Sequence, residues 1–155
     1  MTAKKINELF RKAGYTLGSI ESFTGGLFAK EVTAIPGASH FYKGGLVTYA
    51  TEEKNRLLNI SYQIIDQYGV VSKEVAYEMA KQGKRVLNVD YCISFTGNAG
   101  PSAMENKKVG EVYIGLATPR VIKVIALQLI GSREDIQREG VNQGLLLLEK
   151  EISAN

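Results

Sequence analysis

A single cysteine, Cys92, in a chain of 155 residues excludes an internal disulfide and argues against a cysteine-based metal site. It stands in the apolar run Tyr91-Cys92-Ile93-Ser94-Phe95, where it reads as a small core residue. Histidine is as scarce: His40, in the stretch Gly37-Ala38-Ser39-His40, is the only one. A Ser-His-Asp triad would depend entirely on it, and a lone loop histidine is more often a surface residue. No apolar run approaches the ~20 residues that a membrane span requires. The first ten residues turn amphipathic at once, without the apolar stretch of a signal peptide, so the expectation is a cytoplasmic protein that does not bind membranes. There is little excess of either charge. Nineteen basic residues against sixteen acidic ones give a net charge of +3, with lysines scattered rather than clustered, which argues against a nucleic-acid partner. No cluster of His, Cys, Asp and Glu has metal-ligand spacing, and neither G-x-x-x-x-G-K-[ST] nor G-x-G-x-x-G after a strand occurs. The expectation is therefore an activity without metal or cofactor.

What is present is ordinary for a globular protein, and the length fits one domain, 1–155, with a sizeable core. Ile6, Leu9, Phe10 and Ala13 fall at helical spacing before a stop at Gly14, and Tyr15 to Ile20 alternates like a strand. A short turn leads to a helix carrying Leu27, Phe28, Val32 and Ile35. Phe41 to Ala50 reads as a second strand interrupted by Gly44-Gly45. Thr51 is then the expected N-cap of a helix carrying Leu57, Leu58 and Ile60, Ser61 to Tyr68 a short helical turn, and Ser72 the cap of a long helix to Leu87. Tyr91 to Thr96 is nearly all apolar, as a strand covered on both faces would be. After a polar loop, Ser102 to Lys108, two strands at 110–117 and 121–129 form a predicted hairpin, and a helix from Ser132 to about Glu151 closes the chain. Crossovers mixed with a hairpin predict a three-layer α/β/α domain with a mixed sheet. Ligands bind such sheets outside the carboxyl ends of strands, where Ser22 to Gly26 and Gly97 to Pro101 would meet.

The first of these turns, Glu21-Ser22-Phe23-Thr24-Gly25-Gly26, places two hydroxyls at an expected helix N-terminus, whose free N–H groups and dipole favour an anion. Gly25 and Gly26 would let a ligand approach the backbone. The structural alternative is that Ser22 or Thr24 only caps the helix and the glycines only let it pack. If Ser22 is a nucleophile, the scarcity of histidine leaves lysine as its base. Lys54 stands in the first turn of a predicted helix, against the dipole preference, within the charge run Glu52-Glu53-Lys54-Asn55-Arg56.

Four ordered stretches make the reading specific: Glu21 to Gly26; Phe41 to Tyr49 with Lys54; Tyr68-Gly69-Val70-Val71-Ser72; and Gly97-Asn98-Ala99-Gly100-Pro101. Together they resemble the CinA C-terminal domain family, which includes nicotinamide-nucleotide amidases. The resemblance implies a hydrolase that converts nicotinamide mononucleotide into nicotinate mononucleotide and ammonia. It implies Ser22 as nucleophile and Lys54 as base, with amides of Thr24 to Gly26 holding the oxyanion. Tyr49, Thr96, Gly97, Asn98 and Gly100 would line the substrate site, and Arg138, with Arg133 nearby, would meet the phosphate. The chain departs from the family pattern at Phe23, where Cys is usual, and at Asn98, where Ile is usual. It departs again at Ser102 to Asn106, which replace a glycine-rich continuation. Those departures keep a second reading open, a non-catalytic domain binding a nucleotide or a protein. A homodimer is the default expectation for its assembly.

Overall fold

The computed structural model describes residues 2–154. Along the chain run α1 (Thr2–Ala13), β1 (Leu17–Glu21), α2 (Leu27–Thr33), a 3-10 turn (Ala38–His40), β2 (Tyr42–Val47), α3 (Thr51–Leu58), α4 (Tyr62–Tyr68), α5 (Lys73–Leu87), β3 (Tyr91–Gly97), β4 (Glu111–Ala117), β5 (Ile122–Gln128) and α6 (Arg133–Ser153). The five strands form one sheet in the order β2-β1-β3-β4-β5. Strands β2, β1 and β3 are parallel and joined by helical crossovers, whereas β4 and β5 add an antiparallel hairpin closed by Thr118 N donating to Val121 O at 2.8 Å. This is the mixed three-layer sandwich that the pattern of elements predicts.

Period-two alternation divides the sheet into two cores. Leu17, Ile93, Phe95, Val112 and Ile114 face the layer of α1, α2 and α6, where they meet Phe10, Phe28 and Leu148. Ile20 and Cys92 face the other layer, against Val75 and Met79 of α5. Because helices cover both faces at β3, Tyr91 to Thr96 are all buried, and burial pushes the Cys92 thiol far above its ordinary range. Cys92 is a core residue. His40 is exposed, its Nδ1 3.0 Å from Gly37 O, and it does not line the cavity at Ser22.

Local chemistry sets the helix starts. Ser61 and Ser72 accept from Ile64 N and Val75 N, and Ser132 with Asp135 forms a reciprocal capping box, each worth about 1 kcal/mol. Of the boundaries that differ from the sequence expectation, two bear on the site. Helix α3 takes Ala50 as its N-cap, with Thr51 the first helical residue and no side-chain cap. Strand β2 stops at Val47 rather than Ala50, because the carbonyl of Thr48 turns to accept from Lys54 Nζ.

Candidate active site

The carboxyl ends of β1 and β3 converge on Ser22. Its amide donates to Phe95 O at 3.0 Å, which extends the β1–β3 ladder one residue past the strand and fixes the serine backbone against the sheet. The following turn is held by the preceding residue. Glu21, 1% exposed, accepts from Gly26 N at 3.1 Å and Phe28 N at 2.9 Å through Oε1, and from Ala29 N at 3.1 Å through Oε2. A buried carboxylate is tolerable when charge-assisted hydrogen bonds replace its water, and three helix-terminal amides do so here. Gly25 and Gly26 adopt φ of 60° and 104°, conformations that glycine reaches without penalty, and Gly25 N donates to Ser22 O at 3.0 Å.

This changes the expected anion site. The N-terminus of α2 begins at Leu27, beyond Ser22, and Glu21 already fills it. The amides of Gly25 and Gly26 are spoken for, so neither is free to hold an oxyanion. Among the described residues, the amides of Phe23 and Thr24 have no acceptor, and Thr24 Oγ1 is a buried hydroxyl without a partner.

Lys54 comes from the first turn of α3 across the sheet end. Its Nζ donates to Ser22 Oγ at 3.0 Å and to Thr48 O at 2.6 Å, and the residue is 1% exposed. Burial lowers its pKa from 10.5 to about 8, opposed by the negative charge of Glu105. The neighbouring glutamates that the charge run brought to attention act elsewhere: Glu53 pairs with Arg56 at 2.7 Å on the outer side of the helix. A buried lysine with a depressed pKa in contact with a serine hydroxyl is a nucleophile and base pair in geometry.

A cavity of about 150 Å³ opens over this pair. Of the residues expected at the site, Ser22, Tyr49, Lys54, Thr96, Gly97 and Asn98 line it. Thr24, Gly25, Gly26, Gly100 and Arg138 do not. Gly100 contributes one step removed, through its carbonyl, which accepts from Arg133 Nη1 at 2.5 Å. Arg133 Nη2 donates to Tyr49 OH at 2.8 Å, so this arginine and tyrosine together form the cavity rim. Arg138, expected to meet the phosphate, does not line the cavity; its side chain is 66% exposed and stands 3.9 Å from Asp135. Helical spacing accounts for the difference, since positions 133 and 138 are five residues, or about 500° of helical turn, apart and so point in different directions.

The departures from the family pattern have structural explanations. The Phe23 ring packs in the core, meeting Phe95 edge-on at 6.5 Å, and the same residue lines the cavity beside Ser22. Gly140 makes room for it, because a Cβ there would stand 2.7 Å from the ring. Asn98 splints the second turn: its Oδ1 accepts from Gly100 N at 3.1 Å and its Nδ2 donates to Lys107 O at 3.3 Å. Its backbone is also paired, N to Glu111 O and O to Gly110 N. Sequence reasoning gave no place in the cavity to Val70, Val71 and Met104, which line it together with Phe23, Thr51 and Ala99. The signal available was the Tyr68-to-Ser72 stretch within the family pattern, which carries no reactive side chain and so drew no assignment. Among the described residues no group of three or more His, Cys, Asp or Glu could hold a metal, and no helix is long and apolar enough to cross a membrane.

The fold and the site define a class: a three-layer α/β domain with a buried serine and lysine in contact at the carboxyl ends of its parallel strands. Residues 1–152 match the CinA C-terminal domain, and the chain belongs to that family. A competence-damage inducible protein of Limosilactobacillus reuteri is 43% identical over 153 residues, covering 97% of this chain and 37% of that protein. One from Geobacillus sp. is 40% identical, covering 97% and 36%. The chain thus spans little more than a third of the length of the curated relatives it matches. Among solved structures, a CinA superfamily protein of Klebsiella pneumoniae superposes with a TM-score of 0.97 at 22% identity, covering 99% of this chain and 97% of that one, which shows the fold. The competence/damage inducible protein CihA of Agrobacterium tumefaciens superposes with a TM-score of 0.93 at 27% identity, covering 98% and 93%.

Proposed function

We propose that the chain is an amidase acting on nicotinamide mononucleotide, with Ser22 as nucleophile and Lys54 as general base. The observation that carries this reading is the 3.0 Å contact between Lys54 Nζ and Ser22 Oγ in a setting that depresses the lysine pKa to about 8. A free lysine, with a pKa of ~10.4, is almost wholly protonated near neutrality and cannot accept a proton. Here the neutral amine is accessible. With Thr48 O taking one amine hydrogen, the lone pair faces Ser22 and removes its proton as Oγ attacks the carboxamide carbon. The tetrahedral oxyanion lies against the unengaged amides at Phe23 and Thr24. Lys54 then delivers the proton to the departing nitrogen, the C–N bond breaks, and ammonia leaves an ester on Ser22. Water activated by the same amine hydrolyses that ester to the carboxylate.

The cavity supports a substrate of this shape. Its 150 Å³ is below the ~300–1,000 Å³ of pockets that enclose a whole drug-sized ligand. It holds an aromatic carboxamide and leaves the ribose phosphate at the rim, beside Arg133 and Tyr49. The direct test is ammonia and nicotinate mononucleotide release from nicotinamide mononucleotide by the purified chain. Absence of release at high enzyme concentration, with the nucleotide still retained, would instead establish a binding module.

A further inference from the structure

The loop between β3 and β4 ends in a tight turn, where Met104 and Lys107 pair across Glu105 and Asn106. Glu105 and Asn106 both adopt left-handed backbone conformations, with φ of 53° and 59°. Side-chain residues rarely occupy that region, and they persist there when surrounding contacts hold them. The contact here is specific. Glu105 Oε2 accepts from Val70 N at 2.9 Å and Oε1 from Val71 N at 3.0 Å, so one carboxylate spans two consecutive amides. From the other side, Thr96 Oγ1 donates to Val70 O at 2.6 Å. The Val70–Val71 segment is thereby clamped between β3 and the loop tip, and both valines line the cavity with Met104, the neighbour of Glu105.

The geometry points to Glu105 as a positioning residue of this cavity: its carboxylate fixes the Val70–Val71 wall opposite Ser22 and sets the charge environment of Lys54. The inference rests on the reading of Ser22 and Lys54 as the reacting pair. It concerns a residue of this chain's own 102–106 sequence, where the family pattern leads one to expect glycine. Glu105 supplies the negative charge that opposes the effect of burial on the lysine. Among the described residues no other group takes that part. Glu21 is directed into the start of α2, Glu53 is paired with Arg56, and Glu52 is exposed. Tyr49 and Arg133 bind one another at the rim, while Asp66 and Lys107 flank Glu105 on its outer side. A loop that packs through one charged residue ties the pocket wall and the readiness of the base to a single side chain.

The test uses Glu105→Gln, which keeps the shape and one acceptor oxygen but loses the charge, and Glu105→Ala, which removes the clamp. Lys54 is titrated by lysine-selective carbon-13 NMR without substrate, and exchange of the Val70 and Val71 amides is followed in parallel. Both variants are expected to titrate Lys54 at a lower pH than the parent chain, and Glu105→Ala to exchange the two amides at least about tenfold faster, the factor that a loss of 1.4 kcal/mol produces. With nicotinamide mononucleotide, the acid limb of the pH–rate profile moves to lower pH and KM rises more in Glu105→Ala than in Glu105→Gln. A Lys54 midpoint unmoved in both folded variants would overturn the proposal. Because the titration and the exchange need no turnover, an inactive parent chain would count against the amidase reading alone.

Discussion

The two glycine-rich turns that leave the sheet at its carboxyl edge, 22–26 after β1 and 97–101 after β3, are similar in sequence and different in use. The first spends its donors internally, its glycine amides and helix terminus bound by Ser22 O and Glu21. What it leaves outward is the Ser22 hydroxyl and the unengaged amides of Phe23 and Thr24. The second is splinted by Asn98 and offers outward a cavity wall and, through Gly100 O, an anchor for Arg133. A glycine-rich turn is therefore not in itself an anion cradle. Accounting for each backbone donor decides what remains for a ligand.

The largest effect expected from this contrast is at the side chain that the first turn presents. Ser22→Ala, Lys54→Ala and the double variant should each lower kcat by about 10³-fold or more, the double little worse than either single, because a nucleophile and its base act as a unit. Lys54→Arg should fail equally, since a guanidinium stays protonated. Steady-state kinetics on the four variants check this, and near-normal turnover by Lys54→Arg would remove lysine from the role of base. The rate should also climb with pH through about 8 as Lys54 loses its proton. Stability follows the same group. Between pH 8 and 10.5 the unfolded chain binds this proton more tightly than the folded one, so stability rises with pH across that window and carries the full penalty below it. Lys54→Met removes a penalty of up to about 3 kcal/mol at pH 7, and urea melts should show an inactive protein at least as stable as its parent.

Next in size is the lock on the first turn. Glu21→Ala strands three buried or half-buried amides, at a cost of about 2–4 kcal/mol, and releases the backbone that carries Ser22. Denaturant midpoints and kcat should fall together. The corresponding change in the second turn is milder. Asn98→Ile, toward the residue usual in the family, removes the partners of Gly100 N and Lys107 O and should cost about 1–2 kcal/mol. Its kinetic signature should be in KM rather than kcat, because the turn shapes the wall and does not touch the reacting pair.

Much of this molecule can be read from its residues. The alternation in β1, the apolar run of β3, the serines that cap α4, α5 and α6, and the hairpin all follow from periodicity and turn chemistry, which are local. The turn chemistry brought Ser22 forward, but its pairing with Lys54 was legible only through the family pattern, because little local distinguishes Lys54 from a solvated lysine in a charge run. What buries it is the packing of α3 on α5 and the meeting of its first turn with Ser22 and Thr48 at the end of the sheet, a long-range event. The same holds for Glu21, whose partners lie in the next helix, and for the Val70–Val71 wall, whose importance comes from the strand and loop beside it. The start of α3 at Ala50 illustrates the limit at the smallest scale: Thr51 is a good cap by composition, yet tertiary placement of Lys54 sets the frame of the helix.

The smallest effect expected separates the two arginines of α6. Arg133 reaches the cavity rim through bonds to Gly100 O and Tyr49 OH, and both of these partners are uncharged. Its positive charge is therefore not neutralised by a carboxylate, and an anionic phosphate at the rim would be a better acceptor than either. Such a contact, remote from the carboxamide, is made about equally in ground and transition states, so Arg133→Ala should raise KM for nicotinamide mononucleotide roughly tenfold while sparing kcat. Arg138 has only a long, exposed contact to Asp135, of a kind worth less than about 1 kcal/mol, and Arg138→Ala should change KM by less than about twofold. Comparing each variant on the nucleotide and on nicotinamide riboside, which lacks the phosphate, sharpens the distinction. The Arg133→Ala defect should vanish on the riboside, and a defect of equal size on both substrates would mean that Arg133 only braces the loop through Gly100.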